Sequence, residues 1–200
     1  MLKKEANIIV GGLSVPGKMP CPSINLPATA CNVGAKLAKV PGTTCHGCYA
    51  LKGRYRFSST IKAMNRRLEA LQDSRWVRAM VVLLENRKFF RWHDSGDIQG
   101  AWHLARILEV CKQTPDTKHW LPTRESGLLK FLDSEIIPKN LIIRLSATKV
   151  NGAAPTSWPW TSTVTDGKGK TCPAPDQGGK SKSSRQCWTR SIKNITYAKH

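Results

Sequence analysis

Lys88-Phe89-Phe90-Arg91-Trp92-His93-Asp94-Ser95-Gly96-Asp97 is short, aromatic-rich and closed by turn-forming residues, and it predicts a strand that runs into a tight turn. Leu141-Ile142-Ile143-Arg144-Leu145-Ser146 is the clearest strand of the chain, and His119-Trp120-Leu121 marks another between the two. Helical spacing separates them. Ile61, Met64, Leu68, Leu71, Val77, Met80, Val81 and Leu84 predict one long helix from Thr60 to Asn86, with Lys62, Arg66, Glu69 and Asp73 facing away. Ala101, Leu104, Ala105, Leu108 and Cys111 predict a second helix, and Gly127 to Ser134 a short third. Asn7-Ile8-Ile9-Val10, ended by Gly11-Gly12, reads as an early strand, and Ser162-Thr163-Val164-Thr165 as a last one. Strands alternating with helices require crossover connections and a parallel sheet. The expected fold class is therefore α/β, a partial or open (β/α) barrel with parallel strands, an irregular N-terminal cysteine loop and a cysteine-containing C-terminal tail.

Two hundred residues suit a single domain of 1–200. Within it, 1–57 is a Pro-, Gly- and Cys-rich loop region, 58–150 the β/α core, and 151–200 a basic Pro/Gly/Ser-rich tail packing on that core. Long segments without periodicity need something other than a core to order them, and a metal centre is the usual substitute. No run of apolar residues is long enough for a membrane span, and Met1-Leu2-Lys3-Lys4-Glu5 lacks the apolar core of a signal peptide, so a cytoplasmic protein with no membrane partner is expected. In that reducing compartment seven cysteines point to metal ligands, reactive thiols or buried packing residues ahead of disulfides. Thirty-two Lys and Arg against thirteen Asp and Glu give a net charge of +19 spread along the whole chain, which fits a polyanion partner, nucleic acid first.

Cys45-His46-Gly47-Cys48 is the sharpest local signal, because a two-residue spacer lets two thiolates converge on one ion or one cluster. Cys31 and Cys21 lie upstream in the same irregular segment and complete a set of three or four candidate ligands. Cys172 and Cys187 either complete that centre, cap a second one or are buried thiols; their spacing leaves all three open. Cys111 falls on an apolar helix face and reads as core. His93, Asp94, Asp97, Arg124 and Arg144 fall at the ends of three consecutive predicted strands, where parallel α/β folds place ligands. Alternation predicts Arg91 and His93 on one face, and Phe90, Trp92 and Asp94 on the other. Asp94, Ser95 and Asp97 serve equally well as turn formers and caps. Trp76 and Trp102 read as structural, whereas Trp158, Trp160 and Trp188, in polar segments, are candidates for stacking on bases.

Met19-Pro20-Cys21-Pro22-Ser23-Ile24-Asn25-Leu26-Pro27-Ala28, the run from Cys45 to Tyr55, Arg91 to Asp97, Thr123-Arg124, Cys172-Pro173-Ala174, Cys187-Trp188 and the final His200 resemble the phage gene product 88 family. The resemblance covers nearly the whole chain. It implies a distant likeness to radical S-adenosylmethionine proteins, carried by a cysteine loop ending in Cys-Tyr-Ala and a strand closing in Ser-Gly-Asp. By that analogy Cys31, Cys45 and Cys48 hold a [4Fe-4S] cluster, with Ser95, Gly96 and Asp97 near an S-adenosylmethionine cofactor. Thirteen residues between Cys31 and Cys45 depart from the compact three-cysteine spacing of radical enzymes. The family tail is also expected to carry cysteines at the positions of Ser181 and Ser184. The phage resemblance implies action in the cytoplasm of an infected host cell.

Three functional readings follow. The first is an iron–sulfur protein that binds or modifies nucleic acid. The second is a zinc-stapled, non-enzymatic inhibitor that grips nucleic acid or a host protein, for which a site closed by four protein ligands would speak. The third is a metal-dependent nuclease using His93, Asp94 and Asp97.

Overall fold

The computed structural model describes residues 1–199; His200 lies outside the described residues. Six strands form one all-parallel sheet in which spatial order equals chain order: β1 (Ser23–Ile24), β2 (Phe89–Trp92), β3 (Lys118–Thr123), β4 (Leu141–Val150), β5 (Thr161–Thr165) and β6 (Asn194–Ala198). Every connection advances one strand in the same direction, and β1 does not pair with β6, so the architecture is an open α/β sheet of the kind expected. Six helices accompany it: α1 (Lys3–Val10), α2 (Asn32–Leu37), α3 (Ser58–Ala70), α4 (Trp76–Leu84), α5 (Ala101–Gln113) and α6 (Ser126–Leu129).

Several local expectations are corrected. Asn7–Val10 is not a strand but the end of α1, which Gly11 stops in the left-handed conformation at φ 77°. Its Ala6, Ile9 and Val10 bury against α4, a spacing of three and four that four residues of apolar sequence could not distinguish from a strand. The long helix expected over 60–86 is two, α3 and α4, broken where Asp73 takes up the main-chain N–H and the guanidinium of Arg75. In α5 the buried stripe is His103, Leu104, Ile107, Val110 and Cys111, displaced from the expected one because His103 replaces an apolar residue on it. Cys111 is fully buried, as packing requires.

Side chains of one sheet face, Phe90, Trp92, His119, Leu121, Ile143 and Leu145, meet the helices in the apolar core. His119 stacks on Trp92 at 5.9 Å, and the Cys111 thiol of α5 lies against the same indole. The opposite face presents Arg91, Trp120, Ile142 and Arg144 to the C-terminal tail. Arg144 is enclosed completely, and its guanidinium donates to the carbonyl oxygens of Thr161, Gln186, Cys187, Thr189, Ile192 and Lys193. Among the described residues no carboxylate is bonded to it. A planar fork of five N–H donors can serve that many carbonyls at once, which lysine cannot. Arg144 thus staples the tail to the sheet, and the expectation that it lines a pocket at the strand ends is not met.

The tail continues the sheet as β6 and is covered by its own tryptophans. Trp158, Trp160 and Trp188 are not available for stacking on bases: all three are buried, and their indole N–H groups donate to the carbonyls of Ile143, Arg190 and Phe90. Trp102, expected to be structural, is the exposed one at 40 %. Among the described residues no helix is long and apolar enough to cross a membrane.

Replacing Arg144 by Leu strands buried carbonyls and should lower the unfolding free energy by about 3 kcal/mol or more, whereas Lys recovers only part of it. Urea titrations followed by tryptophan fluorescence test this, and a Leu variant as stable as the parent would remove the staple from the account.

Candidate thiol centre at the strand ends

The cysteine loop is seated on the carboxyl ends of the strands by polar groups of the strands themselves. Gly96 turns at φ 82° with the space for its missing Cβ filled by Leu26, whose Cβ would lie 2.6 Å away. The Leu26 N–H donates to the Ser95 carbonyl at 2.9 Å, and the Ser95 hydroxyl donates back to the Leu26 carbonyl at 2.8 Å. Any side chain at Gly96 would push the loop away. Two residues beyond Leu26, a 310 turn at Ala28–Ala30 delivers Cys31 to the start of α2. There Glu125, just beyond β3, accepts the otherwise unpaired Val33 N–H at 2.9 Å.

Cys45 is held from the other side. Thr44 donates its N–H to the Thr148 carbonyl, Val150 donates to the Gly42 carbonyl, and Arg124 Nε donates to the Thr44 hydroxyl at 3.0 Å. Cys45 and Cys48 lie near enough to Cys31 for their charges to raise its pKa, and Cys48 does the same to Cys45, with Asp97 and Arg124 beside them. Burial pushes the Cys31 thiol up to about 12, with the Asp97 and neighbouring cysteine charges adding to it, and burial likewise raises Cys45 against the pull of Arg124. Gly34 leaves a cradle between two of them: a Cβ there would lie 3.6 Å from both the Cys31 and the Cys45 sulfur, which are therefore separated by no more than twice that distance.

Cys21, Cys172 and Cys187 form a separate neighbourhood on the tail side of the sheet. Cys187 accompanies Cys21 on one side and Cys172 on the other, with its sulfur 3.1 Å from the Tyr197 hydroxyl. Burial pushes Cys21 up to about 12 against the charges of Arg91 and Arg185. The six candidate ligands thus divide three and three. Among the described residues no three His, Cys, Asp or Glu side chains converge on a point as one metal ion requires. That applies to both thiol groups and to His93, Asp94 and Asp97.

Those last three residues are parted by a backbone reversal. His93 sits at φ 52°, a left-handed conformation that costs a non-glycine residue energy, and it breaks the strand alternation. Its ring turns to the helix side, 5.3 Å from His103 of α5, while Asp94 joins Arg91 on the other side. This overturns the expected pairing of His93 with Arg91. Asp94 is fully engaged: it accepts from the Ser23 hydroxyl, Asn25 Nδ2 and the Tyr55 hydroxyl, and its carbonyl accepts from the Tyr49 hydroxyl. Asn25 in turn is held by Arg67 of α3. Asp97 accepts from the Ile98 N–H, the Thr123 hydroxyl and the Arg124 N–H, so it ties the ends of β2 and β3 together and caps no helix. Burial pushes it up to about 6 despite those three donors. Ser95, Gly96 and Asp97 are all spent on this joint; Arg124 remains beside the thiols.

The sequence places Glu125 at the end of a predicted strand without a role of its own, and it assigns none to Tyr49, Tyr55 or Arg67. Tyr49 and Glu125 were adjacent to residues singled out, at Cys48 and Arg124, whereas nothing in the amphipathic pattern of α3 marks Arg67 as a buried donor.

The family model described as gene product 88 matches residues 2–190. No curated protein and no solved structure matches the chain.

Burial holds His103 down to about 4 and His119 to about 3, and His93 well below its ordinary value. Below the ordinary pKa of 6.5 the unfolded chain takes protons that these three refuse in the fold, so stability falls as the pH drops. Asp97 acts oppositely, taking a proton in the fold at about 6. Three losses against one gain give about 3 kcal/mol per pH unit between pH 6 and 4, to be read from urea midpoints. A flat profile across that window would show the imidazoles to be solvated. With 189 of 200 residues spanned by the match, the chain belongs to the gene product 88 family.

Proposed function

We propose that this family member is an iron–sulfur protein that binds nucleic acid and acts on it at the centre formed by Cys31, Cys45 and Cys48. One observation carries the reading: three cysteines from two loop segments are brought together at the carboxyl ends of parallel strands, around a cradle kept open by Gly34. That is where α/β sheets place reacting ligands. The choice of a cluster over zinc rests on the resemblance of the cysteine loop. A single zinc demands sulfurs about 2.3 Å from one centre, whereas a cluster spreads its thiolates over several irons.

Three thiolates would hold three irons of a four-iron cluster and leave the fourth with an open position, the chemistry a bound cofactor or substrate would use. The chain's own residues supply the surroundings. Arg124 offers positive charge beside the sulfurs and is steadied by Thr44. Glu125 orients the turn that carries Cys31. Asp97 fixes the two strand ends under the loop. The outer rim carries exposed Lys36, Lys39, Lys52, Arg54 and Arg56 with exposed Tyr49 and Phe57, suited to phosphates and to bases respectively. S-adenosylmethionine as the cofactor rests on the resemblance in the Cys-Tyr-Ala and Ser-Gly-Asp segments, since Ser95, Gly96 and Asp97 spend the polar groups described above on the fold.

Protein purified without oxygen should contain iron and acid-labile sulfide and show the broad visible absorbance of a cluster. Cys31→Ser, Cys45→Ser and Cys48→Ser should each lose most of the iron, and Cys172→Ser should keep it. Gly34→Val, which fills the cradle, should lower iron while leaving the circular dichroism spectrum unchanged. Zinc without sulfide in the parent protein would turn the assignment to a stapled binding protein.

A further inference from the structure

Two cavities of the molecule open at the end of the sheet opposite Cys31, Cys45 and Cys48. One, of about 460 Å³, is walled by Lys118, Lys139 and Arg190 where β3 and β4 begin. The other, of about 380 Å³, is walled by Arg87, Lys88 and Arg185 where β2 begins. Among the described residues Asp116 is the only carboxylate in either wall. The two are neighbours, because Trp188 lines the first, Phe89 lines the second, and their rings meet at 5.4 Å.

The two arginines on the tail are held in place by main-chain oxygens. Arg190 donates to the carbonyls of Ile137, Pro138 and Leu141, with its buried Nε left unpartnered, and Arg185 donates to those of Lys182 and Ser184 while lying 5.1 Å over the Phe89 ring. Arg87, Lys88, Lys118 and Lys139 are exposed. None of the six forms an ion pair within the described chain.

We infer that this amino end of the sheet is a second nucleic-acid contact face, in which the adjacent cationic grooves seat successive phosphates of one strand. The inference rests on the nucleic-acid reading above and locates a grip separate from the thiol centre. Six cations around two neighbouring openings, with one acidic residue in the wall of the first, fit a repeating anion better than a single small one. Rigid arginines then set position, and mobile lysines add charge. The contacts are sequence-independent, because the grooves offer cations and few other polar groups for reading base edges.

The test is fluorescence anisotropy with a labelled single-stranded oligonucleotide of mixed sequence, over a range of salt concentrations, using the full chain. Arg87→Glu, Lys88→Glu, Lys118→Glu and Lys139→Glu combined should weaken binding more than tenfold and flatten the log–log salt dependence by roughly 0.7 per lost phosphate contact. A control that reverses Lys3, Lys4, Lys62 and Lys112, exposed on the helices, makes the same change in net charge and should have a clearly smaller effect. Both variants must retain the iron content and thermal midpoint of the parent. Equal weakening by the two sets would mean diffuse attraction and overturn the face, as would unchanged binding after the four amino-end reversals. Competition by millimolar inorganic phosphate with a salt slope near one would reassign the grooves to a free anion. A parent protein that binds no oligonucleotide would overturn the nucleic-acid reading together with the face.

Discussion

Everything at the thiol end depends on a close approach of two backbones, at Gly96 and Leu26. The turn after β2 has no room for a side chain there, and the two carbonyl-to-donor bonds between Ser95 and Leu26 lock the approach. From that contact the loop has its direction: it delivers Cys31 to Glu125 beyond β3, returns to pair with the extension of β4 at Thr43 and Lys149, and so encloses Arg124 between Cys45 and Asp97. Asp97 completes the joint beneath by bonding β2 to β3. A buried carboxylate with three donors is a rigid connector, and its raised pKa reflects desolvation that those donors only partly offset.

The sheet has two unlike faces, and they explain the use of buried charge. The helix side is aromatic, with three imidazoles held neutral by burial, and it tolerates unpaired ring nitrogens at His93, His103 and His119. The tail side is cationic. Arg91 lies over the Trp120 ring at 4.6 Å, and Arg144 is spent on carbonyls of a segment too irregular to pair them itself. An irregular tail can be buried only if its carbonyls find donors, and one guanidinium serves six of them. The basic composition therefore has a structural part as well as a surface part.

Charge at the surface divides between the two ends of the strands. The carboxyl end carries cations around Cys31, Cys45, Cys48 and exposed rings, and the amino end carries cations around two open grooves, with Cys21 in the wall of one. The Cys31, Cys45 and Cys48 group and the cationic grooves thus lie at opposite ends of the strands, and the parallel arrangement of all six strands is what gives the molecule two such distinct ends.

The α/β class, the parallel sheet, strands β2 to β5 and the burial of Cys111 were all legible in the sequence, because period and turn residues are local properties that burial then enforces. The two-residue spacing of Cys45 and Cys48 likewise marked the loop as unusual. What the tertiary structure alone decided were relations between distant residues. It divided six cysteines into two groups, turned Arg144 and three tryptophans from candidate contacts into supports of the tail, and parted His93 from Asp94 by a single left-handed residue. The reason is physical: a side chain's role here is set by which backbone donors and acceptors the fold leaves unpaired around it, and that is known only once the strands are side by side.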